Sequence, residues 1–103
     1  MKDIAVSELK ERLDSGEKFV FIDVREEYEY EDDNLDAWNI PLGELLDKLD
    51  ELEAHKDEEI IIHCRSGARS GNAKNFLASK GFTNVRNVLG GILAYRTLEG
   101  EDE

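Results

Sequence analysis

Apolar residues along this chain recur with two different periods, and the switches between them lay out alternating strands and helices. Residues 4–6 read as a short strand. Ser7 stands where a helix cap belongs, and Leu9 and Leu13 share one face of a helix that Gly16 ends. Residues 19–24 form an apolar run closing on polar residues, which suits a strand buried on both faces. Residues 26–31 suit a helical turn, and 38–40 a short strand stopped by Pro41. Leu42, Leu45, Leu46, Leu49 and Leu52 follow i, i+3, i+4, i+7, i+10, the clearest amphipathic helix in the chain. A polar connection leads to a second strong strand at 59–63. Residues 70–80 form a helix with Ala73, Phe76 and Leu77 inward and Gly81 as its cap. A strand at 85–89 and a helix at 92–98, opened by Gly90 and Gly91, complete the pattern and leave 99–103 as a frayed tail. This alternation predicts an α/β fold: an open, mostly parallel sheet of about five short strands with helices on both faces. The expected organisation is one domain over 1–103.

Composition narrows the chemistry. The 103 residues include one cysteine, so there is no internal disulfide and no four-ligand zinc site, and no metal or cofactor is expected. The apolar runs fall far short of the ~20 residues that span a bilayer, and the first residues lack a signal-peptide core, so no membrane role is expected. A cytoplasmic location would keep the thiol reduced. The formal net charge of -12 argues against binding nucleic acid through its phosphates. The charge is unevenly placed: residues 1–59 hold 21 of the 25 acids, whereas residues 60–98 hold six bases and no acid. The cysteine therefore sits in a basic island, which is either uneven sampling of solvated faces or a local field for an anion.

The site candidate is the stretch Cys64-Arg65-Ser66-Gly67-Ala68-Arg69-Ser70, between the strand at 59–63 and the helix that follows. In open α/β sheets ligands sit beyond the carboxyl ends of the strands, which is where Cys64 falls. First-turn N–H groups of the helix lack intrahelical partners and point back at the loop, and the helix dipole adds a positive end. Ser66, Gly67 and Ala68 are small enough for the backbone to curl into an anion-binding nest. With Arg65 and Arg69 nearby, all these effects favour thiolate, so the Cys64 pKa is expected well below its usual ~8.5. A lone cysteine at a strand end is ordinarily a small buried hydrophobe, but Arg-Ser-Gly-Ala-Arg-Ser is a poor core-packing sequence. No Gly-Lys-Ser/Thr follows, so this is not a nucleotide-binding phosphate loop.

The stretch HCRSGARS resembles the active-site loop of rhodanese domains. Residues 21–28, Phe-Ile-Asp-Val-Arg-Glu-Glu-Tyr, resemble the family's earlier strand motif. Asn39-Ile40-Pro41-Leu42 and Asn87-Val88-Leu89-Gly90-Gly91 resemble two further segments, in the family's order. The resemblance implies a sulfurtransferase in which Cys64 takes a sulfur from a donor such as thiosulfate, forms a persulfide, and passes it to cyanide or a cellular thiol. Residues 65–70 would bind substrate, with Arg65 meeting an anionic donor and Arg69 ordering the loop. Asp23 and Arg25 would be structural partners of the site or an ordinary strand-end ion pair. His63 is expected to face away from Cys64 by strand alternation, with Trp38 in the core and His55 at the surface. The run from Cys64 to Arg69 is six residues, which suits a sulfur atom; related cysteine phosphatases use a longer loop around a tetrahedral oxyanion. Other readings are a persulfide carrier between protein partners, including protein persulfide donors, or a non-catalytic interaction module. A monomer is expected. The segment Asp32-Asp33-Asn34-Leu35-Asp36-Ala37 departs from the family's Gly-His-Ile-x-Gly-Ala, so its turns must be made by Asn or Asp in the left-handed region. It partly mimics a calcium loop, but Ala37 and Gly43 stand where glycine and glutamate are required.

Overall fold

The computed structural model describes residues 2–101. Four parallel strands, β1 (Val20–Asp23), β2 (Trp38–Asn39), β3 (Ile60–His63) and β4 (Val85–Asn87), lie in the order β2-β1-β3-β4. The helices are α1 (Val6–Asp14), α2 (Glu27–Asp32), α3 (Leu49–Leu52), α4 (Ala68–Ser79) and α5 (Gly91–Glu101). Strand alternation divides the central side chains between two cores. Ile22, Ile60 and Ile62 face one way and meet Leu45, Leu52, Ala73 and Leu77. Phe21 and Ile61 face the other way and meet Leu9, Val88 and Tyr95. Because both faces are covered, the central strands read as unbroken apolar runs. Among the described residues, no helix is long and apolar enough to cross a membrane.

Several expectations change in detail. The strand at 4–6 contracts to a single bridge, Ile4 with Val88, because α1 begins at Val6 with Ala5 as its N-cap; Ser7 lies inside the helix. The leucine-rich helix breaks into 3-10 turns at Leu42–Glu44, Leu46–Lys48 and Glu53–His55 around the short α3. This segment must return the chain from the end of β2 to the start of parallel β3. A 3-10 turn rises ~2.0 Å per residue against ~1.5 Å for an α-helix, so it covers that distance with fewer residues. Leu45 and Leu52 are buried, but Leu46 is exposed. Trp38 is 40% exposed on the edge strand β2, not in the core. Helix α5 continues through Glu101 where a frayed tail was expected from 99; residues 102–103 lie outside the described residues.

The carboxyl ends of three strands are level, with Asp23 paired to both Asn39 and His63. The loops after β1, β2 and β3 therefore leave the sheet together, and β4 ends one residue short of them, with Asn87 paired to Ile62. The acidic segment makes its turn as its composition requires. The Asn34 side chain accepts the Asp36 N–H at 2.9 Å, and Asp36 takes a left-handed φ of 62°.

Candidate active site

Cys64 follows β3 directly, and alternation sends its side chain to the face covered by α4. The N-cap of α4 is Gly67, at φ 108°, which has no side chain to cap with. The sulfur takes the capping place. Gly67 N–H points at Cys64 Sγ from 3.1 Å, Ser70 N–H from 3.4 Å, and Ser70 Oγ lies 3.3 Å away. The Ser66 N–H is directed there as well. Burial alone pushes the thiol up, but the Ser70 hydroxyl and these three amides more than reverse it, and Cys64 titrates below its ordinary value.

The loop is held in this shape from behind. Helix α5 begins beside it, and the N–H groups of Ile92 and Leu93 donate to the carbonyls of Cys64 and Arg65 at 3.0 and 3.1 Å. Turning the Arg65 carbonyl outward turns the opposite edge of its peptide plane, the Ser66 N–H, toward the sulfur. Gly91 makes this approach possible: a Cβ there would stand 2.5 Å from both carbonyl oxygens. Asn87, at the end of β4, closes the other side. Its Nδ2 donates to Gly67 O at 3.1 Å, and its Oδ1 lies 2.5 Å from Ser70 Oγ.

The sequence-expected residues divide into three groups. Cys64, Ser66, Gly67 and Ser70 converge. Ala68 opens α4 and is exposed. Arg69 is engaged by Glu29 of α2 in a two-pronged pair at 2.6 and 2.9 Å, which holds the Glu29 carboxyl down to about 2. Arg65 is exposed and lines a cavity of about 450 Å³ with Tyr28, Ile92 and Leu93. Asp23 and Arg25 form a buried ion pair at 2.8 Å, and Arg25 also donates to Asp33 O at 2.7 Å, tying the end of α2 to β1. His63 is fully buried on the sheet face opposite Cys64, against the Phe21 ring at 5.3 Å. Its Nε2 makes no hydrogen bond among the described residues, and burial moves its titration down.

The basic island is largely neutralised by the acidic half of the chain. Arg69 pairs with Glu29, Arg86 with Glu8 and Glu59, Arg96 with Asp33 and Glu99, and Lys74 with Asp3. Among the described residues, Arg65 is the one arginine of this stretch without an ion pair. Sequence reasoning missed Asn87 and Glu29 as parts of the site. Asn87 was visible only as a member of a motif, and nothing local links Glu29 to Arg69, 40 positions away.

The whole sequence from residue 5 to 98 matches the model of the rhodanese-like domain. The chain belongs to the rhodanese-like family. It is 38% identical to YtwF of Bacillus subtilis, whose name carries a provisional sulfurtransferase assignment, over 98% of this chain and 93% of the relative. It is 37% identical to YrkF of the same organism, provisionally named a sulfur carrier, and spans about half of that protein: 87% of this chain against 48% of the relative. The human single-domain sulfurtransferase TSTD1 has the same fold, with a TM-score of 0.79 at 26% identity over 92% of this chain and 95% of that one. At the level of the family, this rhodanese-like chain is of the sulfurtransferase type.

Proposed function

We propose that Cys64 is the nucleophile of a sulfurtransferase that carries one sulfur atom as a persulfide. The observation that supports this most directly is the convergence of the Ser66, Gly67 and Ser70 amides and the Ser70 hydroxyl on Sγ. These donors favour the thiolate without a separate base. The thiolate attacks the outer sulfur of thiosulfate; the S–S bond of the donor breaks, sulfite leaves with its electron pair, and a Cys64 persulfide anion remains. A thiolate or cyanide acceptor then attacks the outer sulfur, forms a new bond to it, and returns Cys64 as thiolate. Atoms and charge balance in both steps, with no external oxidant. The loop donors act on developing sulfur charge as an oxyanion hole acts on oxygen. Arg65 meets the anionic end of the donor at the mouth. Asp23 and Arg25 support the loop end of β1. We place this chain in the cytoplasm as a single-domain monomer, where its thiol stays reduced.

A second reading, a persulfide carrier served by protein partners, draws on the charge pattern. With a net charge of -12 and Arg65 the one arginine of the basic stretch without an ion pair among the described residues, a small dianion is weakly attracted. Intact mass after thiosulfate treatment tests the site: the wild type should gain one sulfur atom and Cys64→Ser none. Cyanolysis then divides the readings. Fast Cys64-dependent thiocyanate production supports the enzyme, and slow turnover with a stable persulfide supports the carrier. If thiosulfate and an organic persulfide both leave the mass unchanged, the sulfur-transfer proposal is wrong.

A further inference from the structure

Asn87 is 9% exposed, and both its backbone and its side chain are fixed. Its N–H donates to Asp3 Oδ1 at 3.1 Å, and its carbonyl accepts the Ile4 N–H at 3.0 Å. The amide orientation follows from its partners. Only the NH2 group can donate to Gly67 O, so Oδ1 must face the Ser70 hydroxyl. Ser70 is fully buried, with Oγ between two acceptors: Asn87 Oδ1 at 2.5 Å and Cys64 Sγ at 3.3 Å. A hydroxyl has one proton, so it can donate to one of them at a time.

The three states of the cysteine use that proton differently. As a thiol, Cys64 donates to Ser70 Oγ, and Ser70 donates onward to Asn87, so every group is satisfied. As a thiolate, Sγ only accepts; the Ser70 proton turns to it, and buried Asn87 Oδ1 loses its donor, which is unfavourable. As a persulfide, the charge resides on the outer sulfur, Sγ becomes a weakly accepting neutral sulfur, and the Ser70 proton returns to Asn87. We infer that Asn87 is a positioning residue whose side-chain carbonyl competes with Sγ for the single Ser70 proton, so that the empty thiolate is held less tightly than the sulfur-loaded cysteine. The competition has a use. Nucleophilicity falls as a thiolate is stabilised, and loading is favoured when the empty state is the less satisfied one. The part concerning loading rests on the sulfur-transfer proposal; the proton contest itself does not.

Other charges surround Cys64. Arg65 and Arg69 lie on its own loop, the latter paired with Glu29 of α2. Across the sheet are His63, Asp23 and Arg25. A double-mutant cycle leaves all of these in place. The pH dependence of Cys64 alkylation by iodoacetamide, followed by intact mass, is measured for the wild type, Asn87→Ala, Ser70→Ala and the double variant. Loss of the Asn87 tie to Gly67 acts in both backgrounds and cancels. The remainder, the effect of Asn87→Ala with Ser70 present minus its effect with Ser70 absent, should favour thiolate by about threefold to tenfold, about half to one pH unit. A remainder of zero, or of opposite sign, overturns the inference. If Asn87→Ala does not fold, Asn87→Asp reads the same contest in reverse: a stronger acceptor should disfavour thiolate more with Ser70 than without it, and equal shifts overturn the inference. The titration needs no sulfur donor. Failure of the cycle with sulfur uptake intact condemns this inference alone; absence of sulfur uptake with a positive cycle condemns the sulfur-transfer proposal alone.

Discussion

Replacing Gly91 with alanine tests whether α5 shapes the sulfur loop. Gly91 has φ 59°, and an added Cβ would lie 2.5 Å from Cys64 O and Arg65 O and 2.6 Å from Arg65 C. These are backbone atoms, so no side chain can swing aside. A left-handed conformation costs an alanine roughly 1–2 kcal/mol. Relief of the clash requires α5 to withdraw, which stretches the bonds from Ile92 and Leu93 to the two carbonyls, now 3.0 and 3.1 Å. Each such bond contributes about 1 kcal/mol net, so the total loss is about 3–4 kcal/mol. A domain of this size has only about 5–15 kcal/mol of stability. At about 4 °C or more per kcal/mol, the midpoint should fall by roughly 12 °C or more. The carbonyls would no longer be held outward, so Cys64 alkylation should titrate at higher pH. Thermal and urea unfolding by circular dichroism, with the alkylation profile alongside, measure both effects. A variant within about 1 kcal/mol of wild type, with an unchanged profile, would refute the idea that this contact sets the loop.

Two further outcomes follow from the ion pairs. Glu29→Gln should destabilise at neutral pH: the drop in the Glu29 pKa from 4.5 to about 2 corresponds to about 3 kcal/mol, and solvent screening of the partly exposed Arg69 reduces this to roughly 1–2 kcal/mol. Because the folded value is depressed, this contribution is fully present above about pH 4.5 and is lost as pH falls through about 2; urea unfolding should show the wild-type advantage shrinking over that window, and a pH-independent difference would contradict it. Asp23→Asn strands the buried Arg25 charge and should cost about 3–5 kcal/mol, with Arg25→Leu added to it recovering part of the loss; denaturant midpoints matching wild type in the single variant would show the pair is not a structural requirement.

Much of the architecture was legible because it is local. The apolar residues at 19–24 and 59–63 mark strands covered on both sides, and the parallel sheet with helices on both faces followed from their alternation with helical periods. The leucine pattern at 42–52 identified a helical segment but not its broken, stretched form, which is dictated by where β2 ends and β3 begins. Trp38 was misplaced because periodicity cannot tell an edge strand from a central one.

The strand–loop–helix around Cys64 placed a sulfur at a helix N-terminus, because three consecutive segments of chain suffice to bring those groups together. Folding decided how the charges are distributed and which polar groups reach the loop. Arg86 meets Glu8 across 78 positions, Arg96 meets Asp33 across 63, and Ser70 meets Asn87 across 17. Such contacts depend on strand order and register, which align chain ends that are distant in sequence. A hydrophobic period encodes which face of an element is buried, but not which polar partner waits on the neighbouring one.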